Sequence, residues 1–204
     1  MNKIKKSDKC YGSAHKLKFS LLVLVLILFC SFLIVIATFT QFKIPTFSED
    51  STKVLYYVPQ IPIILFIAGL LGRKFSLMSV IIYIFTGLFL TPIFALGGGL
   101  DYIINFNFGY ILAYIPAVYF AGSITENTFS WLSTLKATLL GVLTIHIIGI
   151  IYLSIILTIQ KEGMQGVLLW VVSQSRNTIF FDFVFGFVAI IIGQMIKRYL
   201  KAIS

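Results

Sequence analysis

Six apolar runs, each near the length of a bilayer crossing, constrain this chain before anything else does. They cover residues 19–40, 54–71, 77–91, 109–124, 135–159 and 180–199. A hydrocarbon core about 30 Å thick is crossed by about 20 apolar residues of helix. The runs must be helical, because lipid offers no partner to a free backbone N–H or C=O, and a barrel would alternate polar and apolar residues instead. The expected fold class is therefore all-α, a polytopic membrane protein with six transmembrane helices. Composition agrees, with 59% hydrophobic and 11% charged residues, far from the balance of soluble domains.

The chain divides into a basic N-terminal tail, residues 1–18, and a single six-helix transmembrane domain, residues 19–204. The first apolar run follows basic residues as a signal peptide does. It is too long for a signal core, however, and no small-x-small cleavage site closes it before Gln41-Phe42-Lys43, so it reads as a retained helix. Cys10 lies in the tail and Cys30 inside the first run. Two thiols so placed cannot meet disulfide geometry and read as free.

Charge sets the expected orientation. With six spans both termini share a side with the connections around Arg73-Lys74 and residues 123–134. That side holds 12 of the 16 Lys and Arg residues against Asp8 and Glu126, or +10, while the other side, with Lys43, Lys53, Lys161 and Arg176 against five acids, carries −1. The basic side is the cytoplasmic one by the positive-inside rule. The protein is thus expected in the cell membrane as a multi-pass protein with both termini cytoplasmic. Its net +9 is topological and adjoins anionic lipid, so no nucleic-acid partner is expected.

Nothing supports catalysis. There is no GxSxG elbow, HExxH helix or phosphate-binding loop, and no pair of intramembrane carboxylates, so neither an enzyme nor a bound cofactor is expected. His146 has no second metal ligand at usable spacing and reads as a helix-to-helix hydrogen bond. Gly69, Gly72 and Gly87 read as close helix contacts, and Tyr56, Tyr57 and Tyr102 as interfacial aromatics.

The polar features gather on the outer side. The loop at 97–107 joins Gly97-Gly98-Gly99 to Asp101, Asn105 and Asn107, and such a loop can bring backbone amides close to a small polar ligand. Gln60 opens the second span and Asp182 the sixth, both in the outer half. Ionisable and amide groups at membrane depth are costly unless they serve a cavity or one another. For Asp182 alone, a solvated interfacial carboxylate or a pair with Arg176 is an equally good reading.

The stretch from VPQ through AGLLGRKFSLMSVIIYIFTGLFLTPIFALGGG to NFNFGYILAYIPAVYFAG resembles the BioY family, the biotin-specific substrate-binding S component of energy-coupling-factor (ECF) vitamin transporters. Gln60, Leu71-Gly72, Ser79, Tyr83, Gly87, Pro92, Phe94, the glycine triplet and Gly109-Tyr110 fall in register with that family's pattern. The resemblance implies an ECF S-component-like six-helix bundle that binds biotin from outside. It also implies as partners a transmembrane coupling subunit and ATP-binding subunits that energise uptake. It carries substrate-binding roles to Gln60, Gly98, Asn107, Tyr110 and Asp182; Tyr83 joins them as a stacking platform read from its residue type. The family's last span opens PGDLxK, and here FFDFVF keeps the aspartate as Asp182 but has Phe185 where the lysine stands. Arg176 or Lys161 would then be the replacement cation. The first span shows only Ser31 and Ala37 in place of the family's Ala-x-x-x-Ala docking pattern. Alternatives are an S component for a different small vitamin and a membrane assembly protein with no transport role.

Overall fold

The computed structural model describes residues 2–45, 54–126 and 129–203, the side chains of 2–20, 45, 54, 55 and 203 excepted. Its elements run α1 (Asn2–Phe39), β1 (Phe42–Pro45), β2 (Val54–Tyr57), α2 (Gln60–Phe89), a 3-10 turn (Leu100–Ile104), α3 (Phe108–Thr125), α4 (Trp131–Ile159), α5 (Met164–Val171), a π-helical turn (Val172–Arg176) and α6 (Ile179–Ile203). Glu49, Asp50 and Lys53, counted in the charge balance, and the Cys10 side chain lie outside the described residues.

Among the described residues five helices, not six, are long and apolar enough to cross a membrane. The correction falls on the second and third expected spans, which are joined into α2 with no loop at Arg73-Lys74. Gly72 explains the junction, with φ 72° and ψ −176° inside the helix, a conformation essentially confined to glycine. The chain reverses there. Gln60 Nε2 lies 3.0 Å from the Tyr83 hydroxyl 23 residues later, whereas a straight helix would hold two such residues about 34 Å apart. α2 is therefore two antiparallel limbs, 60–71 and 73–89, around a one-residue corner. Gly72 is a turn rather than the helix contact expected of it. Gly122 of α3 packs on that corner, where a Cβ would stand 2.7 Å from Arg73 Cα.

The start of the second span is also corrected, since Val54–Tyr57 pairs antiparallel with Phe42–Pro45, Phe42 opposite Tyr57. An apolar, aromatic run of four is compatible with either structure. This short hairpin lies at the end of the bundle opposite the Gly72 corner, together with the glycine-rich loop, α5 and the π-helical turn. Close backbone approach ties α2 to α6, where a Cβ on Gly69 would be 2.8 Å from the Ile190 carbonyl oxygen. Across the bundle the buried core is almost wholly aliphatic and aromatic, with Ile64, Leu65, Ile67, Ile145, Leu153 and Ile190 fully enclosed.

Candidate functional site

Toward the hairpin end, two polar clusters interrupt that core. The first joins α1 to the two limbs of α2. Thr38 spends its proton on the Ile34 carbonyl, 2.8 Å away, as a helical threonine does when buried without water. Its Oγ1 then accepts from Gln60 Nε2 at 2.8 Å and from the Tyr83 hydroxyl at 3.2 Å. Tyr83 is fully buried; its ring meets Phe94 edge-on at 5.5 Å.

The second cluster draws one group from each of five elements. Tyr57 of β2 donates to Asp182 Oδ1 of α6 at 2.8 Å. Asp182 Oδ2 lies 3.3 Å from Nε2 of His146 on α4. His146 Nδ1 is 3.0 Å from Ser175 Oγ in the π-helical turn, and Ser175 Oγ is 2.7 Å from the Tyr110 hydroxyl of α3. Asp182 is 1% exposed and His146 2%. An isolated carboxylate so enclosed would be strongly disfavoured, so these contacts are what permit it. Burial, then the Asp182 carboxylate, push the Tyr57 phenol above its usual pKa, which keeps it a proton donor to Oδ1. A further tyrosine, Tyr114 of α3, is also buried.

The expected site residues separate into three groups. Gln60 and Tyr83 meet directly; Tyr110 and Asp182 are linked through Ser175 and His146; Gly98 and Asn107 sit in the glycine-rich loop at the same end. In the glycine triplet two amides are committed to backbone, Gly97 N–H to the Phe94 carbonyl at 3.0 Å and Gly99 N–H to the Gly87 carbonyl at 2.8 Å. Gly97 and Gly99 have φ of 124° and 85°, so the triplet is required by the turn itself. Gly98 is pressed on Pro92, with a virtual Cβ 2.5 Å from Pro92 Cα. Asn107 precedes α3 and donates its N–H to Asn105 Oδ1 at 2.9 Å. Asp182 is buried rather than solvated, and among the described residues its side-chain partners are Tyr57 and His146 rather than Arg176. His146 makes the interhelical hydrogen bond expected of it, and adds a contact to Asp182 that its neighbours in sequence do not announce.

A sequence profile of the BioY family matches residues 13–202. The chain belongs to that family. It is 29% identical over 100 residues to a probable biotin transporter BioY of Lysinibacillus sphaericus, a match covering 48% of this chain and 51% of the relative. It is 33% identical over 108 residues to a probable biotin transporter BioY of Pyrococcus horikoshii, covering 52% of this chain and 64% of the relative. These alignments thus span about half to under two thirds of the relatives' own length. The fold is similar to the crystal structure of the S-component for biotin from an ECF-type ABC transporter, with a TM-score of 0.67 at 19% identity over 89% of this chain and 93% of that one. Membership in the BioY family and that likeness of fold agree with the ECF S-component-like bundle implied by the motifs.

Proposed function

We propose that this chain is a biotin-binding substrate subunit that captures biotin from the outer side of the cell membrane and is energised by separate coupling and ATP-binding subunits. The observation that carries the reading is the buried Asp182 carboxylate, held by Tyr57 and His146 beside a second polar cluster at the hairpin end of a bundle of this family. Ionisable groups at such depth are the mark of a substrate site. The similar solved structure is an S-component for biotin, which supports the same ligand. The cyclic urea and carboxylate of biotin need several donors and acceptors, and its thiophane ring and alkyl chain suit an aromatic surrounding such as that of the buried Tyr83, Phe94 and Tyr114. Within the site Gln60, Tyr83, Gly98, Asn107, Tyr110 and Asp182 are the proposed contacts. In this reading the tail and the Gly72 corner face the cytoplasm. The absence of any phosphate-binding loop in the sequence assigns ATP chemistry to other polypeptides.

Phe185 favours a second reading, an S component for another small vitamin, because it leaves α6 without the family's cation. Equilibrium binding of radiolabelled biotin to the purified protein tests both. Saturable binding competed by unlabelled biotin supports biotin as substrate; no binding by folded protein overturns it and leaves the second reading.

A further inference from the structure

Two buried polar atoms in the second cluster have no hydrogen-bond partner among the described residues, His146 Nε2 and Asp182 Oδ2. They face one another at 3.3 Å without the alignment of a hydrogen bond. Leaving either unsatisfied is costly, and a buried charged group more so. Within ion-pair distance but not hydrogen-bonded, the two atoms keep bonding capacity that a further partner can take.

The protonation of the pair follows from its neighbours. Asp182 Oδ1 already accepts from Tyr57, so the carboxylate presents Oδ2 as an acceptor. Ser175 has one proton to give between His146 Nδ1 and Tyr110. When Ser175 donates to Nδ1, the imidazole proton is on Nε2. That tautomer is the one that sets an N–H beside Asp182 Oδ2, 3.3 Å away. An N–H donor and a carboxylate acceptor thus lie side by side, and they match an edge that offers a C=O next to an N–H.

We propose that His146 is a further substrate-recognition residue, its Nε2–H and Asp182 Oδ2 acting as a donor–acceptor pair that binds the C=O and N–H of a cyclic urea. This rests on the reading of the protein as a biotin binder and names the groups that hold one end of the ligand. It also explains how α6 does without a lysine. Phe185 lies against Tyr57, with ring centroids 5.6 Å apart, and stacks on Phe181 at 6.2 Å. The donor comes from α4 instead. Tyr57 occupies the other carboxylate oxygen, Oδ1, from the hairpin end.

The test measures biotin and 2-iminobiotin, in which the urea oxygen is replaced by nitrogen, against the wild type, His146→Leu and His146→Gln in detergent. Wild-type protein prefers biotin. His146→Leu, close in volume but without a donor, weakens biotin about tenfold, the loss of one hydrogen bond at a buried site, and narrows the preference over iminobiotin; His146→Gln, which keeps an N–H, restores most of both. Unchanged biotin affinity in His146→Leu, or equal losses for both ligands, overturns the proposal. Failure of the wild type to bind biotin overturns the function instead. The chain has two histidines, so nitrogen NMR of protein labelled at histidine gives a reading that needs no variant. Biotin shifts the Nε2 resonance of His146, and a resonance unmoved at saturating biotin refutes the contact.

Discussion

The Tyr57 hydroxyl and the Asp182 carboxylate, 125 residues apart in sequence, are joined by a 2.8 Å hydrogen bond between a strand outside the helix bundle and the first turn of its last helix. It fastens the hairpin over the polar end of the bundle. Tyr57→Phe removes only the oxygen and leaves Oδ1 without that donor. Unfolding in detergent should be easier by about 1–3 kcal/mol, read as a lower thermal midpoint. An unchanged midpoint would mean that water replaces the phenol at no cost.

Asp182→Asn keeps an acceptor for Tyr57 and removes the charge facing His146. Biotin affinity should fall tenfold or more, the usual effect of losing a hydrogen bond to a charged partner, while membrane insertion and elution volume stay as in the wild type. An unaltered dissociation constant would take Asp182 out of the site.

Gly72→Ala asks an L-residue to hold φ 72°, ψ −176°. The cost is about 1–3 kcal/mol from the backbone alone, and the new methyl would stand 3.3 Å from Lys197 Nζ, a flexible neighbour able to move. The expected result is a lower thermal midpoint with biotin affinity kept within about threefold, because the corner lies at the far end from both polar clusters. A midpoint equal to the wild type would show that α2 can turn without glycine.

Cysteine labelling checks orientation. Asp101 and Lys74 are both exposed and lie at opposite ends of the bundle. In a background of Cys10→Ser and Cys30→Ser, a cysteine at 101 should react with an impermeant thiol reagent in intact cells and one at 74 should not. The reverse pattern would invert the topology and remove the outward-facing site.

Much of this arrangement was legible in residue type alone. The apolar runs define where helix crosses the membrane, and Gln60, Tyr83, Tyr110 and Asp182 stand out as polar or hydroxylated groups where lipid-compatible residues dominate. What escaped were features that depend on backbone angle or on contacts between distant elements. Gly72 looks like any small residue in an apolar helix until its positive φ is seen, so one reversing helix reads as two. Val54–Tyr57 is equally compatible with helix and strand, and only its pairing with Phe42–Pro45 decides. His146 has no polar neighbour at helical spacing that points to Asp182, and Ser175 carries no motif at all.

The unequal limbs of α2 set a depth. Both leave the same corner, yet Gln60, where the first begins, is level with Tyr83, six residues short of where the second ends at Phe89, or about 9 Å along the axis. The backbone at 57–59 therefore joins the bundle about 9 Å short of the level at which the second limb ends. In the proposed function, a solute entering from that end meets its first fixed hydrogen-bonding groups below the rim set by the second limb, where bulk solvent competes less for them.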